Sequence, residues 1–284
     1  MKVISSLAQL RSQVKHWRDQ GLTIGFVPTM GNLHAGHLSL VDKAQQCSDK
    51  IVVSIFVNPL QFNDQADLDV YPRTFESDSV QLMKTACDIV FVPDVLEVYP
   101  QGMEKQSKIS VPGVGDRLCG ANRPGHFDGV ATVVAKLFNI VMPDIAVFGE
   151  KDYQQLLLIK KLVVDFNMPI KIVQAEVVRQ ADGLALSSRN QYLSITEKKI
   201  AVEINQTLLQ IKQRLEKEPC DFIVICEQAK QAIEQKGFAV EYIEICRETD
   251  LMPARSGDKA LRIMIGAQLG PARLIDNIGC YLAC

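Results

Sequence analysis

The stretch Ile51–Val57, IVVSIFV, constrains the fold more than any other part of the chain. Only Ser54 interrupts its apolar side chains, and most of them are β-branched. A strand with one face in water alternates polar and apolar residues, whereas this one does not, so both of its faces are covered. Such strands belong to parallel sheets, whose crossover helices lie on the two faces. Further short apolar runs occur at 22–27, 89–92, 145–148 and 170–178. Between them lie segments with helical spacing: Ser6 to Arg18 closed by Gly21, 38–47 with Leu40, Ala44 and Cys47 on one side, 76–86, 127–141 and about 150–166. Strands alternating with helices predict an α/β fold, a Rossmann-like, doubly wound and mostly parallel sheet.

The pattern changes near residue 176. A polar loop (179–190) leads to two helices, 196–216 and 222–236. Strands at 240–246, 261–267 and 272–278 follow, the last two joined through Gly270-Pro271. We therefore expect two domains: 1–176 carrying the parallel sheet, and a smaller α+β domain at 177–284 with an antiparallel sheet. The polar segment 63–69 reads as a surface loop. Residues 98–126 are rich in Gly and Pro, and a loop that long is expected to be a functional lid or a substrate wall.

Composition excludes several classes. A net charge of −2 gives no gross positive surface for nucleic acid or membranes. No apolar run approaches the ~20 residues of a membrane span. The eight cysteines form no C-x-x-C pair and have no histidines at zinc-finger spacing, so they read as reduced thiols, without disulfides or a zinc site. The first twenty residues are amphipathic and unlike a signal peptide. The expectation is a cytoplasmic protein with small-molecule partners.

Chemistry concentrates at strand ends. The chain lacks G-x-x-x-x-G-K-[ST], and no G-x-G-x-x-G follows its first buried strand. Instead, residues 22–37, LTIGFVPTMGNLHAGH, read as strand, glycine-bearing turn and helix start, with His34 and His37 at the helix N-terminus. Backbone N–H groups and the positive end of the helix dipole meet there, which suits an anion. Two imidazoles added to it suggest a polyphosphate whose charge moves; the plainer reading makes one His a cap and the other a surface residue. Ligands of open α/β sheets bind outside the carboxyl ends of the strands, and three more polar segments lie there. In the first, Gln61 with Asn58 would hold a polar organic substrate, as would Gln155 in the second. Lys151 opens a helix where a cation opposes the dipole, so it wants an anionic partner. Asp152 beside it reads equally as an N-cap or a ribose acceptor. In the third, Ser187, Ser188 and Arg189 suit a departing pyrophosphate, Arg binding phosphate through two N–H groups. Asp78 is the candidate contact to Mg2+, which commonly binds through one or two carboxylates plus substrate phosphates. His16 reads as exposed and His126 as structural.

These residues also resemble a family. Pro28-Thr29-Met30-Gly31-x-Leu33-His34-x-Gly36-His37 is similar to the signature of the pantoate–β-alanine ligases. Phe56-Val57-Asn58-Pro59-x-Gln61-Phe62, Tyr71-Pro72-Arg73-Thr74 and Arg123-Pro124-Gly125-His126-Phe127 resemble it too. So do 148–155 (FGEKDYQQ), 182–190 (DGLALSSRN) and the stretch from Gly266 to Asn277. His-x-Gly-His alone would indicate only the broader nucleotidyltransferase superfamily. The resemblance implies an AMP-forming ligase that joins pantoate to β-alanine through pantoyl adenylate, with Mg2+ accompanying ATP. It implies an ATP site of Met30, Gly31, Asn32, Leu33, His34, Ala35, Gly36, His37, Gly149, Glu150, Lys151, Asp152, Val178, Leu186, Ser187, Ser188 and Arg189. It makes His37 a proton donor, Gln61 a contact of pantoate and β-alanine, and Gln155 a contact of pantoate. It further implies a homodimer with a C-terminal domain hinged over the site. A carboxylate nucleophile has no proton to give, so we expect the histidines to act electrostatically on the phosphates. Two rival readings are an adenylyltransferase of a phosphate acceptor and a nucleotide-binding regulator without turnover.

Overall fold

The computed structural model describes residues 1–217 and 221–282. It begins with β1 (Lys2–Ile4), α1 (Leu7–Asp19), β2 (Ile24–Thr29), α2 (Ala35–Gln45) and β3 (Lys50–Ile55). After a 3-10 turn at Pro59–Gln61 come α3 (Gln65–Asp69), α4 (Phe75–Leu82), β4 (Ile89–Phe91), α5 (Val95–Val98) and α6 (Cys119–Asn122). Next are α7 (His126–Val141), β5 (Ile145–Gly149), a 3-10 turn at Glu150–Asp152, α8 (Tyr153–Asp165) and β6 (Lys171–Ala175). A third 3-10 turn, Ser188–Tyr192, precedes α9 (Ile195–Ala201), α10 (Glu203–Lys217) and α11 (Phe222–Glu234). Three strands follow: β7 (Ala239–Arg247), β8 (Ala260–Leu269) and β9 (Ala272–Tyr281).

The first six strands form one parallel sheet in the order β1-β4-β3-β2-β5-β6. Alternate residues feed two cores. Ile24 and Phe26 of β2, Val52 of β3 and Phe148 of β5 join one with side chains of α1, α7 and α8. Val27, Val53 and Val147 join the other with Leu40, Val41 and Ala44 of α2. Each of these buried Val, Leu, Ile and Phe side chains contributes about 1.5–3 kcal/mol by leaving water. That explains the unbroken apolar run at β3.

Strand order reverses between β2 and β5, and there the sheet splits. These two strands pair only at Gly25–Ile145 and Phe26–Ala146. The apolar run 22–27 ends before Pro28, yet β2 continues through Pro28 to Thr29, opposite Ser54 and Ile55. The carbonyl of Thr29 accepts from Phe56 N at 3.0 Å and so faces β3. Pro28, its neighbour, therefore addresses the β5 side, where pairing has already ended and a missing N–H costs nothing.

β7, β8 and β9 form an antiparallel sheet. Ile243, Ile245, Ile263 and Ile265 pack with α10 and α11 in a third core. Tyr242, Cys246 and Met264, on the opposite face, join the core of α7 and α8. Some expectations need correction. Segment 63–69 contains α3, started by Asp64, whose Oδ1 accepts from Ala66 N at 2.9 Å. The helix expected at 196–216 breaks at Val202. Strand β6 ends at Ala175, releasing residues 176–178 from the sheet. Segment 98–126 is a packed wall rather than a free lid: Val111, Val114, Leu118 and Cys119 are buried. Gln154 holds it, donating to the carbonyls of Val114 and Arg117, each at 2.7 Å, and accepting from Cys119 N. Cys47, Cys87, Cys119, Cys226 and Cys246 are free thiols; Cys220 and Cys284 lie outside the described residues. No described helix is long and apolar enough to cross a membrane.

Candidate active site

The turn after β2 is set by its backbone. Gly31 (φ +79°) and Asn32 (φ +50°) lie in the left-handed region, and a Cβ on Gly31 would press on Ile55 and Asp78. Asp78 of α4 is buried beneath them. Its Oδ2 accepts from Asn32 N at 2.9 Å and from Thr74 Oγ1 at 3.1 Å; its Oδ1 accepts from Leu33 N at 2.8 Å. This corrects its expected role in binding Mg2+: the carboxylate is consumed by the turn and does not line the cleft described below.

His34 is the N-cap of α2, and its Nδ1 accepts from Gly36 N at 3.1 Å. Three residues on, His37 Nδ1 accepts from His34 N at 3.3 Å. The two imidazoles thus form a reciprocal capping box in place of the usual hydroxyl and carboxylate. Their ring centroids stand 4.1 Å apart. Gly36 is required between them because a Cβ there would come within 2.9 Å of the His34 ring. Two helix N–H groups expected to await an anion are therefore already used.

What reaches the cleft is different. A neutral imidazole that accepts at Nδ1 carries its proton on Nε2. Burial, then Lys151, lowers the His34 pKa to about 4. Burial, then His34, lowers that of His37 to about 3. Both rings are neutral near pH 7, and each offers one N–H outward. The electrostatic role expected of the histidines is therefore that of neutral hydrogen-bond donors. The plainer reading fails because both rings cap the helix and both line the cleft.

That cleft, about 240 Å³, opens where β2 and β5 part. All four expected strand ends meet in it. Met30, His34, Gly36 and His37 come from the first; Asn58 and Gln61 from the second; Gly149, Lys151, Asp152 and Gln155 from the third; and Val178 with Leu186–Arg189 from the fourth. Val130, Val133, Val134 and Leu137 of α7 supply an apolar wall. Gly31, Asn32, Leu33 and Ala35 belong to the same turn but do not line it. Glu150 also turns away, pairing with Arg262 at 2.9 Å. A larger hollow of about 430 Å³ lies behind Met30, but neither histidine nor Lys151 reaches it.

The electrostatics of the cleft are those of a site short of anions. Lys151 is half-buried, and its Nζ stands 3.8 Å from Asp152 Oδ2, too far for a hydrogen bond. On the other wall, burial and then the like charges of Arg189 and Arg273 push the Arg123 guanidinium down from its usual range. Asn58 is the floor bracket more than a ligand. Its Oδ1 accepts from Tyr99 OH and Leu60 N, and its Nδ2 donates to Gln61 Oε1 and Gly129 O, filling its capacity. Gln61 Nε2 also lies 2.9 Å from Met30 Sδ.

Sequence reasoning undervalued three residues here: Tyr71, Arg123 and His126 all line the cleft. His126 Nδ1 donates to Gln61 O at 2.7 Å, and its Nε2 accepts from Arg123 at 3.2 Å, so it locks both neighbours. Burial, then Arg123, lowers its pKa to about 4. Burial raises that of Tyr71, against the opposing pull of Arg189 and of a hydrogen bond with Ser188. Their signal in the sequence was position alone, within the Tyr71-Pro72-Arg73-Thr74 and Arg123-Pro124-Gly125-His126 motifs.

A family model, Pantoate-beta-alanine ligase, matches residues 2–279. The chain belongs to that family. A pantothenate synthetase of Pseudomonas aeruginosa is 51% identical over 282 residues, covering 99% of this chain and 100% of the relative. One from Colwellia psychrerythraea is 47% identical over the full length of both. Among solved structures, a pantothenate synthetase of Thermus thermophilus superposes with a TM-score of 0.90 at 40% identity, covering 98% of this chain and 99% of that one. A pantoate-beta-alanine ligase of Francisella tularensis, described as complexed with beta-gamma ATP and beta-alanine, gives 0.83 at 37% identity, with 98% and 97% covered.

Proposed function

We propose that this protein is a pantoate–β-alanine ligase: it condenses (R)-pantoate with β-alanine at the expense of ATP, giving pantothenate, AMP and pyrophosphate. Membership of the family and the named relatives support the substrates. The observation that carries the chemistry is the meeting of two neutral Nε2–H donors with Lys151 and Arg189 at the split in the sheet.

In the first step a pantoate carboxylate oxygen attacks the α-phosphorus, and the bond to the bridging oxygen of pyrophosphate breaks. Negative charge grows on the oxygens of the pentavalent phosphorus and on the leaving group. Fixed donors aimed at such charge need no reorganisation when it develops. His34 and His37 supply the donors, Lys151 the nearby charge, and Arg189 with Ser187 and Ser188 the seat of pyrophosphate. Gln155 and Gln61 hold pantoate with neutral amides, which leaves its carboxylate free as the nucleophile. In the second step the neutral amine of β-alanine, placed by Gln61, attacks the acyl carbon. AMP leaves with the electrons of the acyl–oxygen bond, and the new amide loses a proton to solvent. No proton donor is required in the first step, so His37 acts electrostatically there.

Among the described residues, no three His, Cys, Asp or Glu side chains gather as a metal site. Mg2+ would enter with the nucleotide, as part of MgATP. We assign residues 1–176 to an ATP- and pantoate-binding domain and 177–284 to a domain that closes over it. We also infer a cytoplasmic homodimer.

Incubating the protein with MgATP and pantoate, with and without β-alanine, tests the reading. AMP should accumulate catalytically only when the amine is present. Release of ADP would overturn adenylation. A stable dinucleotide-like product from a phosphate acceptor, with no need for an amine, would favour the adenylyltransferase alternative.

A further inference from the structure

Two polar residues lie side by side in β9 where a strand would ordinarily carry apolar ones: Asp276 and Asn277, 3% and 2% exposed. Asp276 reaches one wall of the cleft. Its Oδ2 and Oδ1 accept from Nη1 and Nη2 of Arg179 at 2.5 and 2.9 Å, a two-pronged pair. Arg179 Nη1 also donates to Gly183 O at 3.1 Å. The loop so gripped pairs Arg179 with Ala185 and runs directly into Leu186–Arg189.

Asn277 reaches the other wall. Its Nδ2 donates to the carbonyls of Glu150 at 2.9 Å and Lys151 at 3.0 Å, and its Oδ1 accepts from Arg262 Nε at 2.8 Å. Arg262 in turn pairs with Glu150 and lies 3.8 Å above the ring of Tyr153. Both protons of one amide are thus spent on consecutive carbonyls, which fixes the peptide from which Lys151 projects. The two anchors meet, because Asn277 N donates to Asp276 Oδ1 at 2.8 Å.

We propose that Asp276 and Asn277 act as a yoke, two positioning residues that set the spacing of Lys151 and Arg189 across the nucleotide cleft. Neither touches the cleft itself. The yoke rests on the functional reading above, in which those two cations hold the polyphosphate. It also explains a mechanical link: any displacement of the antiparallel sheet moves both cationic walls together.

Asn277→Asp keeps the size of the side chain but replaces the two donors with an oxygen that repels both carbonyls. Asp276→Asn removes the charge from the other arm. Each should weaken ATP binding, measured by calorimetry, about tenfold or more, the scale of one or two lost hydrogen bonds. Both should slow pantoate-dependent exchange of labelled pyrophosphate into ATP. The discriminating measurement is a double-mutant cycle on the ATP dissociation constant. Asn277→Asp placed in a Lys151→Ala background should add nothing further, since its effect passes through Lys151. Should Asn277→Asp fail to fold, Asn277→Ser enters the same cycle. Lys236→Gln, at an exposed pair far along the chain, serves as the control and should leave the constant unchanged. Full additivity in the cycle, or unchanged ATP affinity with only a loss of active fraction, overturns the yoke. Absence of pantoate-dependent exchange in the unaltered protein is a separate result: it overturns the functional reading, and the yoke's role with it.

Discussion

The polar cluster at Asp276 and Asn277 and the one at His34 and His37 differ in what is left unfilled. Around Asp276 and Asn277 the prongs of Arg179 and the donors of the amide end on protein partners. Around His34 and His37 each ring spends Nδ1 on the backbone and keeps Nε2–H for the cleft. Lys151 likewise has a carboxylate near it but not in hydrogen-bond reach. A saturated cluster holds shape; a cluster with directed, unspent donors waits for a ligand. The same residue types serve both ends, so the accounting of each donor and acceptor, rather than their identity, separates scaffold from site.

Removing an unspent group and then groups already spent on the protein tests that distinction. The largest effect is expected at an unspent group. Lys151→Ala should lower kcat roughly 10²–10³-fold, the range for losing one donor aimed at developing charge, while thermal unfolding stays within about 0.5 kcal/mol of the parent. A large drop in melting temperature would place Lys151 in the scaffold instead. Asp78→Ala tests a spent group and should do the reverse. Two backbone donors lose a buried carboxylate, so chemical denaturation should show a loss of about 2–4 kcal/mol. Next comes Gly36→Ala, which forces a methyl against the His34 ring; about 1–3 kcal/mol of overpacking is expected, with ATP affinity falling as the cap is displaced. Retention of both stability and affinity would show that the capping box is dispensable.

A smaller effect comes from pH. His34, His37 and His126 have folded pKa values of about 4, 3 and 4, below the ordinary 6.5. As pH falls below 6.5 the unfolded chain takes up protons that the folded one refuses. The stability these neutral rings contribute is therefore fully present above about pH 6.5 and lost as pH falls towards 3–4. Thermal melts from pH 7.5 to 4 should show this decline, shallower in a His37→Gln variant. By the same values, kcat/KM for ATP should show no limb from these histidines between about pH 5.5 and 8. A steep rise or fall assignable to His37 in that window would restore it as a proton donor. The smallest effect belongs to Lys15→Ala, at an exposed pair with Asp19, where at most about 0.5 kcal/mol is expected.

Much of this arrangement was legible in the sequence, for identifiable reasons. Buried parallel strands announce themselves by the absence of alternation, so β3 and its sheet were readable. The histidine turn was readable because glycine, polar and apolar positions follow one another in a strand-turn-helix order. What stayed hidden depends on long-range partners. Asp78 looked like a metal ligand until the turn it holds, more than forty residues away, came to lie over its carboxylate. Segment 98–126 read as either a lid or a wall, because Gln154, which pins it as a wall, gives no local sign of doing so. Asp276 and Asn277 sit in an otherwise β-forming run, and only the fold shows which walls they join.

Pro28 gives the cleft a property of its own. Two parallel strands with matching donors and acceptors tend to zip along their whole shared length, closing any gap between their ends. At the split between β2 and β5 the tooth that would engage next is absent by covalent structure. The gap is therefore set by the covalent chain itself and not by what binds there.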